Sequence, residues 1–293
     1  MREGFIEWNP HGKTGARVME VLRIVQEYRQ AGYRLTLRQL YYQFVARDII
    51  PNKEAEYRKL GNVVSKMRLS GLLDWDAIED RNRSPETPSE WDTIQDLADT
   101  AANAFRLPRW EGQDNYCELW VEKAALAGVL APLAREYHVT LMVNRGYSSQ
   151  SAMYESAKRI MNACYADDKA ATIFYLGDHD PSGQDMVRDI RDRLLMFTRD
   201  RLALTVECIA LTTDQVEEYS PPPNPTKLTD SRAPDYIHRH GHECWEVDAL
   251  DPETLQTIIR ESLDAVVDMP MMNKIIQRED RLKKRFLKAV KEI

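Results

Sequence analysis

Alternating strand and helix patterns between residues 114 and 210 constrain the fold of this chain more than any other feature. Four short apolar runs are typical of buried strands. They lie near residues 116–122, 139–143, 171–176 and 204–210. Helical patterns separate them, near residues 123–136, 149–165 and 183–200. This βαβα order predicts an α/β fold, with a mostly parallel sheet and helices on its faces.

Two of the apolar runs end in acidic residues. Glu122 closes the first run, and Asp178 and Asp180 follow the third in an Asp-x-Asp-x-x-Gly pattern that reaches Gly183. Open α/β sheets bind ligands at the carboxyl ends of their strands. Because alternate residues at a strand end project to one side, both aspartates are placed to reach one ion. Converging carboxylates need a counter-charge, so we expect a hard cation such as Mg²⁺ and phosphate chemistry.

The alternative interpretation of Glu122, Asp178 and Asp180 is a structural role, in which each carboxylate caps a helix or forms a salt bridge. Asp185, one helical turn beyond Asp180, is a weaker candidate and is best interpreted in that way. The Asp-x-Asp spacing after an apolar run, with Gly183 to allow a tight turn into the next helix, favours the metal interpretation for the other three.

The amino-terminal part has a helical pattern. Helices are expected at about 14–31, 36–48 and 53–69, with Thr36 and Gln39 as a capping box for the second. A turn at 71–75 then leads to a short strand or wing. The three helices, the turn and the wing together outline a winged helix-turn-helix. An unrelated small helical domain is the alternative. The polar segment 107–114 is the predicted boundary, giving domains 1–107 and 114–293.

Charge and cysteine usage point to an intracellular DNA-associated protein. The net charge of −7 argues against a nucleic-acid partner, but residues 1–83 carry 15 Lys and Arg against 11 Asp and Glu. A basic domain joined to an acidic one suits DNA binding beside a metal site. No apolar run reaches the roughly 18 residues of a membrane span, and the start lacks a signal-peptide core. Four widely spaced cysteines predict reduced thiols and a cytoplasmic location.

The acidic motifs resemble those of a Toprim domain, which has a first strand ending in Glu and a later strand ending in Asp-x-Asp. The resemblance implies that Asp178 and Asp180 bind Mg²⁺, with Mn²⁺ as a substitute. It also implies that Glu122 is a further ligand or the general acid/base.

Two other segments resemble the A subunit of topoisomerase VI and its relatives, which include the protein that makes meiotic double-strand breaks. Residues 37–44 are similar to the catalytic-tyrosine segment, and residues 144–147 are similar to the Gly-containing segment between the acidic motifs. The order of the motifs matches over nearly the whole chain. Its size and the lack of an ATPase module look most like the stand-alone Mini-A relatives.

Helical spacing selects between two neighbouring tyrosines. An apolar stripe of the predicted helix would place Tyr41 in the core and is formed by Leu37, Leu40, Tyr41, Phe44 and Val45. Tyr42 would then lie on the opposite, exposed face, one turn from Arg38. Because free tyrosine has a pKa of about 10, attack on phosphorus needs a base or a nearby positive charge. Arg38 is placed to supply that charge and to stabilise the phosphoryl oxygens. A plain surface tyrosine is the alternative.

The resemblance therefore implies a type IIB topoisomerase A-subunit-like enzyme that cleaves double-stranded DNA by transesterification. Tyr42 would form a covalent 5′-phosphotyrosyl intermediate within a homodimer, in which the tyrosine of one subunit meets the metal site of the other. A separate ATPase partner would be needed for strand passage. Two alternatives stay open: a Toprim metal-dependent nuclease that uses water, and a non-catalytic DNA-binding protein.

Basic side chains of the first domain are candidates for DNA phosphate contacts, as is one residue near the metal site. They are Lys53, Arg58, Lys59, Lys66, Arg68, Arg81, Arg83 and Arg145. A solvated helical face explains any one of them equally well.

Two other signals carry less weight. Gly12, Lys13 and Thr14 lack the earlier Gly of a phosphate-binding loop. The alternating His238, His240, His242 and Cys244 lack the usual zinc spacing and are better interpreted as a polar turn before a strand. His179 has no assigned role.

Overall fold

The amino-terminal part of the chain is helical, as predicted. The computed structural model describes residues 3–79, 88–144, 146–165 and 168–291. The first elements are α1 (Gly12–Gln30), β1 (Leu35–Thr36), α2 (Leu37–Ala46), α3 (Glu54–Leu69), β2 (Ile78–Glu79) and α4 (Ile94–Ala104). The predicted capping box starts α2: the Thr36 hydroxyl accepts a hydrogen bond from the Gln39 backbone N–H, and the Gln39 side chain accepts one from the Thr36 backbone N–H.

The segment after α3 differs from a simple hairpin wing. The chain turns at Gly71, whose φ of +74° favours glycine, and then forms one 3₁₀ turn at Trp75–Ala77. β2 follows and pairs in parallel with β1, whereas the two strands of a hairpin run antiparallel. The expected turn and short strand are therefore present, and the strand is paired with the segment that precedes α2.

The second part of the chain contains the sheet. Its elements are β3 (Asn115–Val121), α5 (Ala127–Glu136), β4 (Thr140–Val143), α6 (Gln150–Cys164), β5 (Ala170–Leu176), α7 (Pro181–Thr198), β6 (Leu204–Ala210), α8 (Thr213–Tyr219), β7 (Asn224–Pro225), α9 (Ala233–His240), β8 (Glu243–Cys244), α10 (Pro252–Asp264) and α11 (Met269–Val290). Strands β3 to β6 form one sheet in the order β4-β3-β5-β6, and all of its pairs are parallel. This confirms the predicted α/β class and parallel sheet.

The strand order creates a crevice between β3 and β5. From β3 the chain crosses by α5 to β4 on one side, and from β5 it crosses by α7 to β6 on the other. The carboxyl ends of β3 and β5 therefore lie at a topological switch point, where such sheets bind ligands. Glu122 follows β3 directly, and its backbone N–H donates to the Leu176 carbonyl at 2.9 Å. The acidic residues that follow β3 and β5 therefore lie at the middle of the carboxyl edge of the sheet.

Alternating strand residues fill two cores, one on each face of the sheet. On one face, Leu119 and Val121 pack with α5 and α10. On the other, Trp120 and Tyr175 pack with α6 and α7. Because both faces are covered, the two central strands are mostly apolar, as is typical of parallel sheets. The four cysteines are free thiols, as predicted. Among the described helices, none is long and apolar enough to cross a membrane.

Helix α11 packs against α4 and contributes a buried carboxylate. Glu279 is fully buried and accepts hydrogen bonds from the Leu107 backbone N–H at 2.9 Å, from Arg109 at 3.0 Å and from Lys283 at 2.7 Å. Burial alone would raise the pKa of Glu279, but these donors outweigh it and lower the pKa to about 2. Glu279 therefore links α11 to the segment that follows α4, which carries Leu107 and Arg109.

Replacing Glu279 by Gln should lower the free energy of unfolding by about 2 kcal/mol at pH 7, because the substitution removes charge-assisted hydrogen bonds from a buried site. The folded pKa of Glu279 lies below its ordinary value, so its stabilisation is present above about pH 4.5 and is lost as the pH falls towards 2. Urea unfolding at pH 7 and at pH 3 measures the difference. Glu261→Gln, at an exposed position of α10, is the control; a Glu279→Gln effect that does not shrink in acid contradicts the assignment.

Candidate functional site

Glu122 and Asp178 lie side by side at the carboxyl ends of β3 and β5. Glu122 Oε2 accepts a hydrogen bond from the Asp178 backbone N–H at 3.3 Å and from the Tyr175 hydroxyl at 3.4 Å. Burial raises the pKa of Glu122, and the negative charge of Asp180 adds to this shift. Burial also raises the pKa of Asp178 to about 7, although Lys123 opposes the shift. The switch point therefore concentrates carboxylates that are costly to ionise together.

Asp180 begins helix α7. Its Oδ1 accepts a hydrogen bond from the Gly183 backbone N–H at 2.7 Å, so it acts as the helix cap. A Cβ atom at Gly183 would lie 2.0 Å from the Asp178 carbonyl oxygen. Glycine is therefore required at this position, as the sequence pattern predicts. One carboxylate oxygen of Asp180 is committed to the cap.

Lys123, which sequence reasoning did not select, occupies the centre of the carboxylate group. Its Nζ lies 2.8 Å from Asp178 Oδ1, from Glu246 Oε2 and from Asp248 Oδ1. Asp248 has no exposed side-chain surface, and Lys123 exposes 20% of its own. The ammonium is thus held by three acids from two distant parts of the chain.

Arg38 connects this group to helix α2. It pairs with Glu246, and its Nε lies 3.1 Å from Asp248 Oδ2. The Arg38–Asp248 approach lacks hydrogen-bond geometry, and both of these atoms are buried without a hydrogen-bond partner. Arg38 Nη2 also donates to the Tyr42 hydroxyl at 3.4 Å, so the predicted contact between Arg38 and Tyr42 is present. A continuous network therefore runs from Tyr42 to Asp178.

The prediction that Tyr42 is exposed is wrong. Tyr42 exposes 3% of its surface, and Tyr41, whose burial was predicted, exposes 5%. The segment Val247–Ala249 packs against α2 on the face that the helical pattern marked as solvent, and Ala249 joins the same apolar cluster. Burial, followed by the negative charge of Glu246, raises the pKa of Tyr42 well above its ordinary value. The hydroxyl is consequently protonated in this conformation.

His179 fastens the segment that carries Glu246 to the segment that carries Asp178. Its backbone N–H donates to the Trp245 carbonyl at 2.8 Å, and the Trp245 N–H donates back at 3.0 Å. The buried ring contacts the Tyr236 hydroxyl through Nδ1 at 2.8 Å and Thr213 through Nε2 at 3.1 Å. The residue between the two aspartates thus holds the neighbouring acidic segment in place.

The donor chemistry of this site fits a hard divalent cation, but the carboxylates are not arranged as a complete set of metal ligands. Glu122, Asp178 and Asp180 offer the oxygen ligands that Mg²⁺ prefers. Within the described residues, however, no group of three or more His, Cys, Asp or Glu side chains is placed to hold a metal ion. Asp178 faces the Lys123 ammonium, and Asp180 is engaged at the α7 cap.

The alternating residues His238, His240, His242 and Cys244 do not lie on one strand. His238 and His240 lie on α9, whereas Cys244 ends β8. A helix therefore occupies residues 238–240, where the sequence pattern indicated a polar turn before the strand.

The basic candidates differ in how they are used. Lys53 and Lys66 are exposed. Arg58 Nε lies 3.8 Å from Glu54 Oε1, and Lys59 Nζ lies 2.7 Å from Glu56 Oε1. Arg68 instead donates to the backbone carbonyls of Trp75 and Ile78. Arg81, Arg83 and Arg145 lie outside the described residues. The α3 face therefore presents cations, whereas Arg68 contacts the turn that follows the helix.

Sequence reasoning missed Lys123, Glu246 and Asp248, although each had a signal. Lys123 directly follows Glu122, and Glu246 and Asp248 repeat the acid-x-acid spacing of Asp178 and Asp180. The amino-terminal part supplies Arg38 to the same group. Searches against family models, curated proteins and solved structures give no match for this chain. The geometry of the site is therefore the basis for assigning a function.

Replacing Arg38 by Met should lower the free energy of unfolding by about 2 kcal/mol, because Asp248 loses one of its two cationic partners. The double variant Arg38→Met/Asp248→Asn should be less destabilised than the sum of the single variants, with a coupling energy of about 1 kcal/mol or more. Urea unfolding of all four proteins measures this cycle.

Arg23→Met is the control, because Arg23 forms exposed ion pairs with Glu20 and Glu27 on α1. It should change the unfolding free energy by less than about 0.5 kcal/mol. Strict additivity of the Arg38 and Asp248 effects would show that the two residues do not interact.

Proposed function

We propose that this protein cleaves double-stranded DNA by metal-dependent transesterification, with Tyr42 as the nucleophile. Arg38 neutralises the phosphate under attack, and Glu122 acts as a metal ligand or as the general acid/base. In this proposal residues 1–107 are a winged helix-turn-helix domain and residues 114–293 a Toprim domain. The enzyme is similar to the A subunit of topoisomerase VI, works as a homodimer on DNA in the cytoplasm, and takes a separate ATPase partner for strand passage.

One observation carries this proposal: a tyrosine hydroxyl, an arginine and the switch-point carboxylates belong to a single network. Tyr42 contacts Arg38, Arg38 pairs with Glu246, and Glu246 shares the Lys123 ammonium with Asp178. A nucleophile, a phosphate-binding cation and potential metal ligands are the parts that phosphoryl transfer requires. These parts come from α2 and from the middle of the sheet edge, which are far apart in sequence.

The proposed covalent step is a phosphoryl exchange. The Tyr42 oxygen forms a bond to phosphorus, and the bond from phosphorus to the deoxyribose 3′ oxygen breaks. The tyrosine gives up its proton, and the departing 3′ oxygen takes up one, so a free 3′ hydroxyl and a 5′-phosphotyrosyl ester result. The reverse step reseals the strand, and neither direction needs an oxidant or a hydrolysed nucleotide.

Asp178 and Asp180, with Glu122, are the residues that would hold the metal. A bound Mg²⁺ ion would neutralise phosphate charge and stabilise the leaving oxygen. The contribution of the protein itself is to gather carboxylates in a buried position and to hold Arg38 close to the tyrosine. The burial of Tyr42 means that DNA binding must uncover its hydroxyl before attack.

That same burial favours a second candidate function, DNA hydrolysis by water at the carboxylate site. Tyr42 exposes 3% of its surface, and its pKa is raised, chiefly by burial. A nuclease would need the acidic residues and would leave Tyr42 as a core side chain. Both candidates therefore predict loss of cleavage with Asp178→Asn, and only the first predicts a role for the tyrosine.

Replacing Tyr42 by Phe should abolish covalent protein–DNA adducts and reduce cleavage by at least 100-fold, because only the nucleophilic oxygen is removed. Supercoiled end-labelled DNA is incubated with Mg²⁺ or Mn²⁺, denatured, and analysed before and after protease digestion. Tyr41→Phe is the matched control, since Tyr41 lies beside Tyr42 and donates to Asn52 at 2.9 Å. Undiminished cleavage by Tyr42→Phe, without adducts, would support the hydrolytic alternative and exclude transesterification.

The exposed cations of α3 should contribute to DNA affinity without reading sequence. Lys66→Ala should reduce the slope of log K against log salt concentration by about 1, because one phosphate contact is lost. Fluorescence anisotropy with a labelled duplex at several salt concentrations measures this slope. Lys158→Ala, at an exposed position of α6, is the control and should leave the slope unchanged. Equal slopes for Lys66→Ala and the wild type would remove α3 from the proposed interface.

A further inference from the structure

The Lys123 ammonium lies where three acidic side chains meet. It lies 2.8 Å from one oxygen each of Asp178, Glu246 and Asp248. Three carboxylates that converge on one cation are typical of a divalent site, although a Mg²⁺–oxygen distance is only about 2.0–2.1 Å. An ammonium and a metal ion cannot share this space. Occupation by one excludes the other.

The carboxylates of this group carry more negative charge than the neighbouring cations neutralise, which favours binding of a more highly charged cation. Five carboxylates gather here: Glu122, Asp178, Asp180, Glu246 and Asp248. Among the described side chains, the cations that touch them are Lys123 and Arg38. Full ionisation would leave three negative charges in excess. Asp248 Oδ2 is also buried without a hydrogen-bond donor, and the nearby Arg38 Nε does not meet it with hydrogen-bond geometry. The acids are therefore under-neutralised by the protein alone.

The position of Lys123 allows exchange without unfolding. The Lys123 side chain is 20% exposed, so part of it reaches solvent, whereas the Asp248 side chain is fully buried. Lys123 also lies on the short connection between β3 and the Ala124–Leu126 turn, at the open edge of the sheet. A long, flexible side chain in such a position can withdraw while the carboxylates stay in place.

We propose that Lys123 is an internal cation that competes with a divalent metal ion for Asp178, Glu246 and Asp248. It neutralises these acids in the metal-free protein and sets the affinity of the site for the metal. Glu246 and Asp248 thereby join the acids that surround the bound ion. The inference rests on the metal dependence of the proposed function and adds to it a residue that tunes metal affinity.

Metal binding by the full-length protein without DNA tests this competition. Isothermal titration with MgCl₂ and with MnCl₂ should give a dissociation constant at least ten-fold lower for Lys123→Gln than for the wild type. Lys123→Arg keeps a cation in place and should bind the metal about as weakly as the wild type. Thermal unfolding should show a low midpoint for metal-free Lys123→Gln and a larger rise on metal addition than the wild type shows.

Lys283→Gln is the matched control. Lys283 Nζ lies 2.7 Å from the fully buried Glu279, so this variant also removes a lysine from a buried acid, but on α11. It should destabilise the protein and leave metal affinity unchanged. An equal gain in affinity for Lys283→Gln would mean that general loosening, rather than competition, exposes the acids, and it would overturn the proposal.

A second pair of variants tests the same competition if Lys123→Gln does not fold. The double variant Lys123→Gln/Asp248→Asn removes one charge of each sign, and it is compared with Asp248→Asn alone. The double variant should again bind Mg²⁺ at least ten-fold more tightly. A folded variant without Lys123 that binds the metal no more tightly than its parent overturns the proposal, as does the absence of binding by every variant.

The outcome for Lys123 is separate from the outcome for DNA cleavage. The titration contains no DNA, so a failure to form Tyr42 adducts leaves the measured competition standing. Conversely, adducts that form normally while Lys123→Gln shows no gain in metal affinity would overturn the competition and leave transesterification standing.

Discussion

The ion pairs of Lys123 and Arg38 determine how the two parts of this chain meet. Asp248 lies in a short 3₁₀ turn, Val247–Ala249, that contacts α2 on one side and the sheet edge on the other. Its carboxylate has no exposed surface, and it is held by Lys123 from the sheet and by Arg38 from α2. Because a poorly neutralised buried charge is costly, the loss of either cation without a replacement destabilises the folded protein. This buried acid thereby links the helical part directly to the sheet.

Backbone hydrogen bonds make this arrangement specific. Asp178 Oδ1 accepts from the Val247 backbone N–H at 2.9 Å, and His179 pairs with Trp245 through two backbone hydrogen bonds. These bonds set the register between the loop after β5 and the acidic segment 246–248. Buried ion pairs often add little net stability compared with apolar residues, because desolvation offsets their attraction. Their contribution here is better understood as specifying which segments lie together at the switch point.

The sequence predicts local structure well and long-range packing poorly, for a physical reason that Tyr42 illustrates. The predicted strands agree with β3 to β6 to within about a residue, because a two-sided parallel sheet makes each strand a continuous apolar run. The apolar stripe of α2 correctly buries Tyr41. A helical pattern does not show that a segment more than 200 residues later covers the opposite face, so Tyr42 was expected in solvent. Lys123 was missed for the same reason, since its partners Glu246 and Asp248 are remote in sequence.

The burial of Tyr42 and the capture of Asp178 by Lys123 follow from the same contacts. Glu246 pairs with Arg38 beside the tyrosine and shares the ammonium with Asp178. Glu246 helps to raise the pKa of the Tyr42 hydroxyl. A change that withdraws Lys123 from Glu246 therefore also alters the electrostatic potential at that hydroxyl. If a metal ion takes the place of the ammonium, its double charge offsets more of this negative potential and favours the phenolate. The network would then couple occupation of the acidic site to the reactivity of the tyrosine, with no need for a direct contact between them.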